Sequence, residues 1–267
     1  MRHLFPVTLG VFAGLFLVTA LVSADASRSP APTHAQQVTA KDDSPTWAVG
    51  PAPQPAAWRV LPPGPGAPES RGAERVLETL ARIEGKLSTT RYQHRTVVRE
   101  RRGLYAWDCS GMAAWILERA APRALSAIHR ERPVARSFHD IIARSPTDQA
   151  RRGWRRLAHV EEARPGDVFA WRRPPEWGNR ITGHVGFVLE RARPVPQWDG
   201  AYTMRIVDAT SLPHQDDTRT RGGPGGYGHG TLLFMTDGDG QVDSYGWFGM
   251  NSRGVVVTPV VFGRVTR

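Results

Sequence analysis

The sequence predicts an α+β fold, with N-terminal helices packed on a central antiparallel sheet. Two observations predict it. Segments with helical periodicity come first in the chain, and Val- and aromatic-rich runs between Pro/Gly punctuation come after them. No internal repeat interrupts that order.

The first residues stand apart from the fold. Arg2 and His3 give a positive start, Leu4 to Val22 is almost wholly apolar, and Val22-Ser23-Ala24 offers small residues before a cut. That is the layout of an export signal over residues 1–24, with an uncleaved membrane anchor as the alternative. Residues 25–71 are rich in Pro, Ala, Ser and Gly, too poor in large apolar groups to order themselves, and read as a linker. Residues 72–267 are then one folded domain, and a monomer is expected.

Within that domain, Val76, Leu80, Ile83 and Leu87 mark one face of a helix over Ala73 to Leu87. Ser88 to Tyr105 is polar and arginine-rich and predicts no element. Cys109, Met112, Ala113, Ile116, Leu117 and Ala120 share one helix face, with Asp108 as a natural N-cap and Pro122 as the stop. Ser137 to Arg144 reads as a short helix capped by Ser137, followed by another polar, arginine-rich region to Glu162. A Pro165-Gly166-Asp167 turn then enters the strand Val168 to Trp171. An insert (Pro174 to Thr182) separates it from the strand Gly183 to Leu189. Tyr202 to Ala209 is a strand, and the glycine-rich run 222–230 is expected to be a mobile loop near the site. Leu232–Met235 and Val242–Trp247 form a hairpin around Asp237-Gly-Asp-Gly240, and Val255 to Phe262 is the last strand. That acidic turn is not a calcium loop, because Val242 and Phe248 occupy positions that need glycine and glutamate.

Charge and cysteine content narrow the chemistry. The formal net charge is +10, and lysine appears only at Lys41 and Lys86 among 35 basic residues. In an exported protein such a field favours anionic cell-envelope surfaces or acidic substrates. The bland alternative is a general preference for arginine on the surface. No basic module with stacking aromatics points to nucleic acid, and no ligand spacing points to a metal. The lone cysteine, Cys109, cannot form an internal disulfide. It is either a small buried hydrophobe or a reactive thiol. Its place in the first helical turn, where free N–H groups and the dipole favour a thiolate, argues for the thiol.

A thiol nucleophile needs an imidazole to move its proton and a third polar group to orient that ring. His184 lies inside a strand pattern between Gly183 and Gly186, which leave room for a close approach. Asp208 ends the next strand. If the two strands are antiparallel neighbours, Asp208 lies beside His184. His214 and His229 are the alternatives to Asp208. Asp108 adds a tension, because an anion beside Cys109 raises a thiol pKa unless the cap and a cation absorb it.

Taken together, Asp108-Cys109-Ser110-Gly111, Pro165-Gly166-Asp167, His184-Val185-Gly186 and Asp208-Ala209 resemble the NlpC-type papain-like cysteine peptidases, bacterial cell-wall endopeptidases and amidases. The resemblance covers about Tyr92 to Ala209. It implies a papain-like NlpC-type fold, with Cys109 as nucleophile, His184 as general base and acid, and Asp208 in the third polar position. It also implies Tyr92 as an oxyanion-hole phenol, and Asp108 and Ser110 as groups that hold the amino end of a stem peptide. Arg99-Glu-Arg-Arg-Gly103 stands where the family has a glycine-rich segment. The implied activity is hydrolysis of amide bonds in peptidoglycan peptides, without a cofactor. Acyl or amide transfer by the same dyad, and a non-catalytic cationic wall-binding module, are the alternatives.

Overall fold

A computed structural model describes residues 66–247 and 254–266. The expected export signal and nearly all of the expected linker lie outside the described residues. Among the described residues, no helix is long and apolar enough to cross a membrane.

Helix α1 spans Arg71–Glu84, with the Ser70 hydroxyl accepting from the Ala73 N–H. Its face of Val76, Leu80 and Ile83 is buried against α2, Cys109–Ala120. Burying each such side chain stabilises by roughly 1.5–3 kcal/mol. Pro122 does not merely stop α2. It opens α3, Pro122–Ser126, at a helical position where the missing N–H has no partner to lose. Helix α4 spans Ala135–Ala143 and starts earlier than expected. Ser137 is therefore inside its first turn, where its hydroxyl accepts from the Val134 N–H at 3.3 Å.

The architecture is mixed α+β with one large antiparallel sheet. Strands β1 (Thr89–Tyr92), β2 (Val97–Arg99) and β3 (Leu104–Trp107) form a separate three-stranded sheet in the segment where no element was expected. In it, β1 runs parallel and β2 antiparallel to β3. The large sheet takes β4 (Trp154–Leu157), β5 (Val168–Arg172), β6 (Gly183–Val188), β7 (Arg193–Pro194), β8 (Ala201–Thr210), β9 (Gly226–Thr236), β10 (Val242–Trp247), β11 (Val255–Val257) and β12 (Val260–Val265). Its order is β11-β10-β9-β8-β6-β5-β12-β4, with β7 beside β8. The expected last strand is thus two strands, β11 on one edge and β12 between β5 and β4. The β9–β10 hairpin forms as expected, its turn closed by Asp237 Oδ1 accepting from the Asp239 and Gln241 N–H groups.

Alternation along the strands separates two buried clusters. Val168, Ala170, Val185, Phe187, Val207 and Ala209 pack with α1, α2 and α4. Phe169, Val188, Ile206, Leu232 and Phe234 face the other way. There, Val242 and Tyr245 of β10 join Val260 and Phe262 of β12, although β9, β8, β6 and β5 lie between them in the sheet. The sheet therefore curls over this second face.

The Pro-Gly-Asp turn is held by charge. Asp167 is fully buried, caps the turn through the Arg164 N–H at 2.8 Å, and takes both Nε and Nη2 of Arg264 at 3.0 and 2.9 Å. Gly166 has a φ of +87°, and a Cβ there would lie 2.4 Å from the Ala73 carbonyl oxygen. Asp167→Ala leaves the Arg264 guanidinium buried without this carboxylate. It is expected to lower the unfolding free energy by about 3–5 kcal/mol, read from the denaturant midpoint.

Candidate active site

The candidate site is built where α2 begins, against the middle of the large sheet. Strand β3 delivers Asp108 to the N-cap position of α2. There its Oδ1 accepts from the Gly111 N–H at 2.7 Å and from the Ser110 hydroxyl at 2.9 Å. Cys109 is the first residue of the helix, so its own N–H belongs to the orphan donors of the first turn. Capping absorbs one side of the Asp108 charge. The other oxygen, Oδ2, lies 3.4 Å from Nδ1 of the exposed His94. The sequence pattern did not mark this histidine as a neighbour of the cap.

Strand pairing brings the other two groups together. Phe187 pairs with Val207 and Val188 with Ile206, so β6 and β8 are antiparallel neighbours. His184 and Asp208 meet across that pair, with Nε2 to Oδ2 at 2.7 Å. The Cys109 thiol is near enough for its charge to act on the same imidazole. Because Nε2 is committed to Asp208, Nδ1 is the nitrogen left for the thiol. The three residues chosen from separate stretches of sequence are thus gathered at one place.

The glycines beside His184 serve packing rather than an open approach. Gly183 has a φ of +130°, and a Cβ on it would stand 1.9 Å from the Trp171 carbonyl oxygen. The space beside Gly186 is filled by the Phe169 ring, 2.6 Å from where a Cβ would be. The imidazole leans on the Trp171 indole at a centroid distance of 4.9 Å, and that indole stacks on Tyr245 at 3.8 Å. Cys109 is 6% exposed and the His184 side chain 14%, so little water reaches the pair.

Asp208 carries more than one partner. It is fully buried, its Oδ2 also meets His214 Nε2 at 2.7 Å, and its Oδ1 accepts from Arg219 Nη1 at 2.7 Å. Arg219 is fixed in turn by Asp217 through Nε and Nη2 at 2.8 and 2.7 Å. His214 therefore does not replace Asp208 but shares its carboxylate. His229 lies elsewhere, 2.8 Å from Glu84 and beside Tyr227. The glycine-rich run is a loop only at its start. From Gly226 it is strand β9, paired with β8 along its length, with Gly228 opposite Asp208. A side chain at Gly228 would collide with the Arg219 side chain at 2.6 Å, so the missing Cβ makes room for the guanidinium.

Electrostatics follow from this packing. Burial alone would lower the His184 pKa, but negative charge on the Cys109 sulfur and on Asp208 outweighs it and raises it to about 9. Burial also works against the Asp208 carboxylate, yet His214, Arg219 and His184 hold it well below the usual range. Burial, reinforced by Cys109, Asp108 and Asp208, pushes the Tyr92 phenol up, so it stays an O–H donor. Tyr92 thus lies within the field of the thiol. Tyr105 does not, since the charges acting on it are Glu100, Arg119 and Arg82.

A raised pKa means that the imidazolium is present below about pH 9 and is lost as pH rises through that value. Any turnover that needs His184 to protonate a leaving group is expected to show an alkaline limb near pH 9 in kcat/KM. Asp208→Asn removes one of the anions that raise this pKa, so the limb is expected to move to lower pH. A limb that stays in place in that variant contradicts the assignment.

No family model, curated protein or solved structure matches this chain. The site is therefore read from its own geometry. Among the described residues, no cluster of His, Cys, Asp or Glu could hold a metal ion.

Proposed function

We propose that this chain is an exported thiol hydrolase on a papain-like NlpC-type fold, cutting amide bonds of peptidoglycan stem or cross-link peptides through an acyl-enzyme. One observation carries the chemistry. A single imidazole is hydrogen-bonded to a buried carboxylate, Asp208, at 2.7 Å and lies within the field of the lone thiol at a helix start. The peptide substrate class comes from the resemblance of the motifs.

In this reading the Cys109 sulfur attacks the scissile carbonyl carbon. The carbon–sulfur bond forms as the carbonyl electrons move onto oxygen. The Cys109 N–H and the Tyr92 phenol, both donors, stabilise that oxyanion. His184 passes its proton to the leaving amine as the amide bond breaks, giving a thioester. Water then attacks the thioester, His184 takes its proton, and the thiolate leaves. Asp208 keeps Nε2 of the ring engaged throughout, so that Nδ1 faces the reaction. Asp108, through its Oδ2 and with His94 nearby, offers an anionic contact for a peptide amino group.

The test is to digest purified wall peptides and follow Cys109 by mass spectrometry. A covalent acyl adduct on the Cys109 peptide, with release of new amino ends, supports the reading. Product release without an adduct at Cys109 under rapid quench overturns it. Adding an amine acceptor separates hydrolysis from transfer by which product gains mass.

A further inference from the structure

We infer that the Arg99–Arg102 turn and helix α2 form a second binding site, separate from the thiol, for a phosphate-bearing anionic ligand. A basin of about 640 Å³ is lined by Val98, Arg99, Glu100, Arg101, Arg102, Trp115 and Arg119. That volume lies within the roughly 300–1,000 Å³ of ligand clefts. Four of its seven lining residues are arginines, against one acid.

Most of that charge is not compensated from inside. Glu100 is shared between Lys86 at 3.6 Å and Arg119 at 3.9 Å. The side chains of Arg99, Arg101 and Arg102 make no ion pair or hydrogen bond among the described residues. Their backbone is nevertheless fixed. Arg99 ends β2, and residues 100–102 form a 3-10 turn closed by Gly103 at a φ of +61°. Arg119 is preset as well, its guanidinium 3.6 Å over the Trp115 ring.

Beneath the basin, without lining it, the core presses an aromatic ring against Trp115. Tyr105 is fully buried, its ring meets Trp115 edge-on at 6.0 Å, and its hydroxyl has no hydrogen-bond partner. Guanidinium forks match phosphate oxygens in pairs, and the indole gives the ligand an apolar wall. The site sits ten residues along α2 from Cys109, roughly 15 Å at 1.5 Å per residue. A polyanionic chain held there leaves the thiol free for a neighbouring peptide.

The experiment is calorimetric titration of the folded protein with a short polyphosphate chain and with a length-matched polyglutamate. One saturable polyphosphate site is expected, with polyglutamate at least tenfold weaker. Arg101→Glu/Arg102→Glu is expected to weaken polyphosphate at least tenfold. Arg71→Glu/Arg75→Glu, an equal charge change on α1 outside the basin, is expected to weaken it less than threefold. Tyr105→Phe, which leaves the basin lining intact, is expected to keep both the melting temperature and the affinity. Equal losses from both charge reversals, or equal binding of both polymers, overturn the site. Vesicles of phosphatidylglycerol that bind while soluble polyphosphate does not also overturn it. All binding is run on Cys109→Ala as well, where it is expected to be unchanged, so failure here is distinct from failure of the hydrolase reading.

Discussion

Cys109→Ala is expected to abolish amide hydrolysis, by at least about 10⁴-fold in kcat, while leaving the fold cooperative. The side chain is small and sits at the edge of the core, so its removal costs about 1 kcal/mol of stability. The informative readout is the ring next to it. Negative charge on the Cys109 sulfur is the largest influence raising the His184 pKa to about 9. Alanine removes it, and an NMR titration of His184 is expected to fall well below that value. A purely structural cysteine predicts the opposite pair of results, with activity retained and the imidazole unmoved. Cys109→Ser keeps the shape and separates the two cases further, since a hydroxyl there stays uncharged.

Asp208→Ala is expected to have the second large effect, and on two observables at once. The carboxylate is the meeting point of His184, His214 and Arg219, all at 2.7 Å. Removing it leaves a buried guanidinium with Asp217 and the Gly226 carbonyl and takes this carboxylate from two imidazoles. A loss of about 3–5 kcal/mol in unfolding free energy is expected. Turnover is expected to fall about 10⁴-fold, because the ring is no longer held with Nε2 engaged. Asp208→Asn keeps the volume and separates the terms, with smaller loss of stability and comparable loss of turnover. Equal activity in wild type and Asp208→Asn contradicts a role for the carboxylate in orienting the ring.

The parts legible in the sequence were those set by local patterns. The cap at Asp108 and the apolar face behind Cys109 are helical spacing, and α2 forms as they predict. The Val-rich runs around His184 and Asp208 predicted strands whose pairing was left as a condition, and β6 and β8 do pair. What stayed hidden depends on tertiary contact. Strands β1, β2 and β4 are only three or four residues long and carry arginines, so hydrophobic alternation is too short and weak to mark them. Gly226 to Gly230 looked like a loop because its glycines are needed by what packs on them. A Cβ at Gly226 would meet Thr90 at 2.3 Å, and one at Gly230 would meet His214 at 2.5 Å. Arg219 lay in a turn-rich stretch with no periodicity, and only the fold brings it to Asp208. His94 likewise becomes meaningful only once β1 and β3 run side by side.

The Ser70 hydroxyl donates to the Val265 carbonyl at 2.6 Å, and Arg264 reaches Glu69 as well as Asp167. The start and finish of the described chain are therefore tied side by side. A circular permutant can join them through a short bridge and open new ends in the Asp237–Gly240 turn without cutting any strand that carries the site. For the same reason, tension arriving from the N-terminal segment is borne at this seam rather than at the thiol.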